Sequence, residues 1–248
     1  MANWSDPRTT AARFATGAGA QAQAYDAGLR SYMLSVYNYM ASGVLLTGIV
    51  AMLFSMGGIT SPAAQVFIHG GILKWVIMLS PLAIVFAMSF GQARMQTSTL
   101  QMLYWAFAVL MGLSLSTIFL VYSGTSIAQA FFATAAGFAG LSLYGYTTKK
   151  DLSAMGTFLI MGLVGLIVAM LINLFVQSST LNLVISFAGV LIFAGLTAYD
   201  TQKIKSMYAH VAGTDMMGKV VIMGALNLYL DFINMFLFLL RLMGNGRN

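Results

Sequence analysis

Long apolar segments alternate with short polar segments along almost the whole of this chain. Each apolar segment reaches about 20 residues, the length that a helix needs to cross a hydrocarbon core of about 30 Å. A transmembrane β-barrel would instead show segments of roughly ten residues with alternating polarity. The pattern predicts an all-α integral membrane protein, a bundle of seven helices at residues 32–56, 74–93, 103–123, 128–147, 155–176, 181–202 and 219–241.

Glycine, proline and charged residues mark the ends of these segments. The third and fourth segments, and the fifth and sixth, are joined by very short connections, so each pair is predicted to be antiparallel neighbours. Pro81 lies inside the second segment, where a proline frees a backbone carbonyl in the preceding turn. In lipid, a neighbouring helix must then satisfy that carbonyl.

Composition agrees with a membrane protein. The 248 residues are 59% hydrophobic and 7% charged, whereas an average soluble domain is about 25% charged. The absence of cysteine excludes disulfides, thiol catalysis and thiolate metal sites. Residues 1–30 are rich in Ala, Gln, Gly and Thr and lack the apolar core of a signal peptide. We expect them to form a flexible cytosolic arm, with residues 31–248 forming the seven-span domain.

Basic residues orient the predicted bundle, because cytoplasmic loops carry an excess of Lys and Arg. Lys74, Arg241 and Arg247 would lie on the outer side if the amino terminus is cytosolic. The remaining nine basic residues would lie on the cytosolic side: Arg8, Arg13, Arg30, Arg94, Lys149, Lys150, Lys203, Lys205 and Lys219. This distribution favours a cytosolic amino terminus. We expect a full seventh crossing, because the polar residues of the seventh segment favour burial within the bundle. A re-entrant seventh helix, which would return Arg241 and Arg247 to the cytosol, is the alternative.

Two of the six acidic residues, Asp200 and Asp231, lie inside long apolar segments. A carboxylate at membrane depth is costly unless it is paired, protonated or hydrated, so it marks a candidate functional site. Asp231 lies 12 residues beyond Lys219, roughly 18 Å into the membrane. Asn227, Asp231 and Asn234 are spaced i, i+4 and i+7 and therefore share one helix face. This polar stripe indicates either a functional site or a structural hydrogen-bond network.

Asp200 lies near the cytosolic end of the sixth segment. It could be an interfacial residue capped by Lys203 or Lys205. Arg94, at the cytosolic end of the second segment, could instead form an ion pair with Asp200. Two coupled carboxyl groups in different environments could share protons near neutral pH, which would make a pH-sensitive element.

Three stretches around these residues carry a recognisable pattern. The chain reads Ala-Tyr-Asp-Thr-Gln-Lys-Ile-Lys at 198–205, Ala-Leu-Asn-Leu-Tyr-Leu-Asp-Phe-Ile-Asn-Met-Phe-Leu-Phe-Leu-Leu-Arg at 225–241, and Lys-Lys-Asp-Leu-Ser at 149–153. These stretches resemble the Bax inhibitor-1 (transmembrane Bax-inhibitor-motif) family, bacterial branch. The resemblance covers residues 30–243.

The resemblance implies six helices around a central seventh and a pH-sensitive calcium leak channel, not an enzyme, in the bacterial inner membrane. It implies that Asp200 and Asp231 form a proton-shared pair and that Arg94 acts as a latch on Asp200. Asn227 and Asn234 would support the polar face. Carboxylate oxygens suit a hard cation such as Ca²⁺, although two aspartates are too few for a tight site, so Asp200 and Asp231 would hold calcium only in passage. We expect no cofactor and no nucleic-acid partner; the expected partners are the lipid bilayer and the permeant cation.

Two other classes of function remain open. An intramembrane aspartyl protease also carries aspartates on its sixth and seventh spans. Here, however, Leu228-Tyr229-Leu230-Asp231 departs from the Gly-x-Gly-Asp of those enzymes, and no Pro-Ala-Leu follows because Pro81 is the last proline. A regulatory protein that binds a quality-control protease or another membrane complex is the second alternative. His69 and His210 are isolated, which argues against a histidine metal site.

Overall fold

The computed structural model describes the backbone of residues 7–244 and the side chains of residues 21–244 other than His69. Within this range each of seven helices is long and apolar enough to cross a membrane, so the predicted all-α seven-helix bundle is confirmed. The helices are α1 Pro7–Ser55, α2 Ile72–Gly91, α3 Thr97–Leu115, α4 Gly124–Thr147, α5 Ser153–Val176, α6 Ser179–Val211 and α7 Met216–Met243. Short helical turns at Gly58–Thr60, Pro62–Ala64 and Gln65–His69 connect α1 to α2, and Ile118–Val121 extends α3.

The ends of α1 and α6 differ from those predicted. Helix α6 was expected to end at residue 202 but continues to Val211, and α1 begins at Pro7 and not at residue 32. These two extensions support each other, because the ring of Tyr208 lies 5.1 Å from that of Tyr25 and 5.4 Å from that of Tyr32. Apolar packing thus continues past the lysines of α6. The flexible cytosolic arm at residues 1–30 stays a prediction. Residues 1–6 of the predicted arm lie outside the described residues.

Helix α7 occupies the centre of the bundle. In its most apolar window 67% of the residues are buried, against 17% in α2 and 11% in α5. Its main contacts are with α1, α3, α4 and α6, whereas α2 packs mainly on α3 and α5 on α6. The central position of the seventh helix agrees with the family resemblance.

Aromatic side chains fasten the surrounding helices to α7. The ring of Phe107 of α3 lies 5.0 Å from that of Tyr229, and the ring of Phe138 of α4 lies 5.6 Å from that of Phe232. Close packing of this kind holds helices together in lipid, where the hydrophobic effect provides no drive for association. Gly145 of α4 allows a similar close approach, because a side chain there would collide with the backbone of α6 at Ala198.

A hydroxyl group from α3 repairs the backbone where Pro81 interrupts α2. Proline has no N–H to donate to the carbonyl of Ile77, one turn earlier. Ser114 Oγ donates to that carbonyl oxygen at 2.7 Å, and Ser80 Oγ donates to it at 3.1 Å. The prediction that a neighbouring helix satisfies this carbonyl is confirmed.

We expect Ser114→Ala to lower the free energy of unfolding by about 0.5–1 kcal/mol, the usual value of one hydrogen bond in this setting. In a Pro81→Ala background the restored N–H of residue 81 can bond to Ile77, so the same substitution should cost almost nothing. The measurement is a double-mutant cycle of unfolding in detergent. Ser98→Ala, at an exposed position on the same helix, is the control. Equal costs of Ser114→Ala in both backgrounds would contradict this account.

Candidate functional site

Asp231 lies at the centre of the protein. Its helix is packed by α1, α3, α4 and α6, and its side chain is 4% exposed. Among the described residues, Oδ2 of Asp231 is the buried side-chain oxygen or nitrogen that has no hydrogen-bond partner. A buried carboxyl oxygen without a partner is costly. The structure therefore places an unsatisfied polar atom in the middle of a membrane-spanning bundle.

Asp200 of α6 lies next to Asp231. The two carboxyl groups are within hydrogen-bonding reach of each other. A hydrogen bond between two carboxyl groups requires that one of them carries a proton, because ionised carboxylates only accept. The structure thus brings together the two aspartates that the sequence singled out, in an arrangement that a single shared proton can bridge.

The length of α6 explains how the two aspartates reach the same depth. The helix boundaries predicted from the sequence put Asp200 at the end of its span, much nearer to the membrane surface than Asp231. In the structure Asp200 lies eleven residues before the end of α6, roughly 16 Å. Asp231 lies fifteen residues after the start of α7, roughly 22 Å. The remaining difference is about one helical turn, which two side chains can bridge.

A chain of hydroxyl groups lies beside the aspartate pair. The hydroxyl of Tyr37 from α1 lies 2.6 Å from Oγ of Ser142 in α4, and this atom lies 3.0 Å from Oγ1 of Thr201 in α6. Thr201 directly follows Asp200 in the chain. Three helices are therefore joined by side-chain hydrogen bonds at the level of the pair.

A second polar contact fixes α7 two residues before Asp231. Thr47 of α1 lies 2.7 Å from the hydroxyl of Tyr229 and donates to the backbone oxygen of Ala108 at 2.8 Å. Thr47 and Tyr229 are both buried. This contact ties α1, α3 and α7 together and satisfies the polar end of a buried tyrosine.

The carboxyl-terminal part of α6 is fixed to the connection between α4 and α5. Gln202 Nε2 donates to the backbone oxygen of Lys150 at 2.8 Å, and Gln202 Oε1 accepts from the backbone N–H of Leu152 at 2.9 Å. Lys205 Nζ donates to the backbone oxygen of Tyr146 at 2.7 Å and lies 4.8 Å from the centre of its ring. These bonds anchor α6 within two turns of Asp200.

Positive charge surrounds a polar cavity at this end of α6. The cavity has a volume of about 320 Å³ and is lined by Lys149, Lys150 and Lys203 together with Tyr199 and Gln202. Lys203 is close enough to Asp200 to interact with it electrostatically, but no ion pair to Asp200 occurs among the described residues. Capping of Asp200 by Lys203 or Lys205 is therefore not observed as a direct bond.

Asp151, which lines the same cavity, has a structural role at the beginning of α5. Its carboxylate accepts hydrogen bonds from the hydroxyl group of Ser153 and from its backbone N–H, the latter at 2.9 Å, and these bonds hold the pKa of Asp151 below its ordinary value. The side chain thereby satisfies an N–H group at the beginning of α5.

The other residues of the predicted site lie away from the pair. Arg94 is exposed in the connection between α2 and α3 and makes no ion pair with Asp200 in the part of the chain that the structure describes. Asn234 is half-buried and donates from Nδ2 to the backbone oxygen of Leu230 in its own helix at 2.8 Å. Asn227 is also half-buried, with no side-chain hydrogen bond within the described part of the chain. The latch role of Arg94 and the supporting roles of the asparagines stay predictions.

The aspartate pair is not a preformed metal centre. Within the described residues no group of three or more His, Asp or Glu side chains comes together. Calcium takes six to eight oxygen ligands, so a pair of carboxyl groups could hold it only with water or other oxygens. Transient binding of calcium by Asp200 and Asp231 stays a prediction.

Tyr37, Thr47 and Ser142 belong to the site but were not predicted from the sequence. Residues of these types are common in membrane helices, and the spacing of these three in the sequence does not distinguish them from other polar residues. Thr201 and Gln202, by contrast, adjoin Asp200 in a motif that the sequence analysis had singled out.

Comparisons with known proteins agree with the resemblance noted in the sequence. A family described as inhibitor of apoptosis-promoting Bax1 matches residues 29–248, which include both aspartates. The chain is 49% identical to an uncharacterized protein of Rickettsia prowazekii over 225 residues, 90% of this chain and 93% of the relative. It is 42% identical to the inner membrane protein YbhL of Escherichia coli K12 over 223 residues, 89% of this chain and 94% of the relative. A protein of Deinococcus radiodurans is also 42% identical, over 89% of this chain and 92% of its own length.

The hydrogen bond between the carboxyl groups can be tested by infrared spectroscopy. We expect a protonated-carboxyl band that disappears with rising pH, and we expect Asp200→Asn and Asp231→Asn each to shift the frequency of this band, because each replaces the hydrogen-bonding partner of the remaining carboxyl group. Asp215→Asn, at an exposed position between α6 and α7, should leave the band unchanged. A band whose frequency and pH dependence are the same in wild type and in both substitutions would mean that the two carboxyl groups do not share a hydrogen bond.

Proposed function

Because this chain belongs to the Bax inhibitor-1 family of membrane proteins, we propose that it is a pH-sensitive cation leak channel with calcium as the permeant ion. Asp200 and Asp231 form the proton-sensitive element. The inner membrane is the proposed location, because the relative YbhL of Escherichia coli is an inner membrane protein. The distribution of lysine and arginine supports a cytosolic amino terminus.

One observation carries the proposal: two carboxyl groups lie within hydrogen-bonding reach on the central helix and its nearest neighbour, and one carboxyl oxygen has no partner among the described residues. While a proton bridges the pair, the pair is compatible with apolar packing. Loss of that proton leaves two negative charges in contact, which repel each other. The helices must then separate, or water or a cation must enter between the carboxylates.

Apolar packing on both sides of the pair supports a closed state as the starting point. Leu228 and Phe232, which flank Asp231 in α7, are buried. A hydrated ion therefore needs a movement of α6 or α7 before it can pass. The lysines around the cytosolic cavity disfavour cations at that entrance, which fits a slow leak better than a fast channel.

The same pair of aspartates would also suit an intramembrane aspartyl protease. The family favours the leak, and the burial of Asp231 leaves little room for a peptide substrate beside it. A regulatory role through a protein partner stays compatible with either activity.

Calcium flux into proteoliposomes tests the proposal. With a calcium indicator inside the vesicles, we expect wild-type flux to change with pH between about pH 5 and 8, the range in which coupled carboxyl groups can titrate. Asp200→Asn and Asp231→Asn should flatten this dependence, because an amide cannot lose the bridging proton. Asp215→Asn, which also removes one acid, should behave as wild type.

The outcomes separate the alternatives, provided that size-exclusion chromatography shows each variant to be folded. Unchanged flux and pH dependence in both substitutions would rule out the pair as the sensor. No flux by folded wild-type protein would reject the leak itself and favour the regulatory role, to be pursued by co-purification of partners with and without residues 1–30.

The latch can be tested separately. The closed arrangement described above contains no ion pair between Arg94 and Asp200, so an Arg94 latch requires a second closed arrangement in which the connection between α2 and α3 lies nearer to α6. We expect Arg94→Gln to raise calcium flux by weakening the closed state. Arg94→Lys, which keeps the positive charge, should raise the flux less. Lys74→Gln controls for the loss of one positive charge. Wild-type flux in Arg94→Gln would remove the latch from the mechanism.

A further inference from the structure

A deep groove separates α1 from α4. Both helices pack against α7, but they make few contacts with each other beyond the hydrogen bond between Tyr37 and Ser142. The space between them has a volume of about 820 Å³, within the range of pockets that hold drug-sized ligands.

The groove has a closed floor and an open rim. Met33, Met40 and Phe138 line it and are at most 7% exposed. Leu34 and Leu143 line it from the two edges and are 50% and 63% exposed. The groove therefore opens sideways, toward the surroundings of two membrane-spanning helices, and those surroundings are lipid.

The dimensions of the groove fit one lipid chain. Its lining runs along α1 from Arg30 to Leu45 and along α4 from Tyr146 to Phe131. Fifteen residues of helix span roughly 22 Å, which exceeds the thickness of about 15 Å that one leaflet contributes to the hydrocarbon core. An acyl chain that enters from the Arg30 end can therefore lie fully inside the groove.

Positive charge marks one end only. Arg30 lines the groove there, no carboxylate lines it, and Arg30 makes no ion pair within the described part of the chain. The amine of Lys205 lies 4.8 Å from the ring of Tyr146, which lines the same end. Basic pockets between membrane helices on the cytosolic side are suited to anionic lipid headgroups, and a guanidinium group binds phosphate in a bidentate manner.

We propose that the groove between α1 and α4 is a binding site for a phospholipid with an anionic headgroup. Its acyl chain lies on Met33, Met40 and Phe138, and its headgroup lies at Arg30. This inference does not depend on calcium transport. The bound chain would cover Tyr37 and Ser142, whose hydroxyl groups lead to Thr201 beside Asp200.

Native mass spectrometry of the whole protein tests the proposal. The protein is reconstituted with equal amounts of dioleoyl phosphatidylglycerol and dioleoyl phosphatidylcholine and then transferred to mild detergent. We expect wild-type protein to retain one phosphatidylglycerol molecule in preference to phosphatidylcholine. Ala139→Trp, which fills the groove from α4, should lower retention at least tenfold. Ala133→Trp, exposed on the opposite face of α4, should retain lipid as wild type does.

A separate substitution tests the contact between Arg30 and the headgroup. Arg30→Gln should still retain lipid, because the apolar floor is intact, but should lose the preference for phosphatidylglycerol. Lys74→Gln removes a positive charge far from the groove and should keep the preference. Equal retention of both lipids by wild-type protein would overturn the headgroup assignment.

Other occupants give different results. If wild-type protein has the mass of a dimer and Ala139→Trp has the mass of a monomer, a second copy of the chain fills the groove. If Ala139→Trp and Ala133→Trp retain lipid equally, the lipid binds elsewhere. Either result overturns the proposal. If thermal unfolding shows that Ala139→Trp is misfolded, Ala41→Trp takes its place in the experiment, because Ala41 lines the groove from α1.

Discussion

Every polar group inside the hydrocarbon region of this protein must find its partner within the protein, because lipid offers none. The contacts between helices follow from this constraint. Ser114 satisfies the carbonyl that Pro81 frees, and Thr47 satisfies the hydroxyl of Tyr229. Both bonds join different helices, so the requirement for polar satisfaction also sets the positions of the helices relative to one another. Small residues and aromatic rings then fill the space between these fixed points.

Asp231 is the exception to this rule among the described residues, and the exception is informative. Its Oδ2 is buried and has no hydrogen-bond partner, although its carboxyl group reaches that of Asp200. A protein that satisfies its other buried polar side chains so consistently has not done so at the one acid in its centre. Unsatisfied polar groups of this kind are typical of sites that bind protons or ions. The surrounding hydrogen bonds support the pair without neutralising it.

The number of helices, the repair of Pro81 and the choice of Asp200 and Asp231 as candidate residues all came from polarity along single segments. What the sequence did not reveal depends on contacts between segments. The charges of Lys203 and Lys205 suggested an end to α6, but Tyr208 packs against Tyr25 and Tyr32 beyond them and extends both helices. The groove between α1 and α4 was equally invisible, since an apolar residue that lines a cavity looks the same in a sequence as one that packs.

The extension of α6 also determines the geometry of the aspartate pair. A side chain moves about 1.5 Å along the axis for each residue of helix, so a shift of α6 by one turn would separate Asp200 from Asp231. Two contacts next to Asp200 oppose such a shift. Thr201 is hydrogen-bonded to Ser142 of α4, and Gln202 makes two hydrogen bonds to the connection between α4 and α5. The depth of Asp200 is therefore set in part by Gln202, whose partners Lys150 and Leu152 lie in a connection between helices, where a bound partner or a change in charge can reach them.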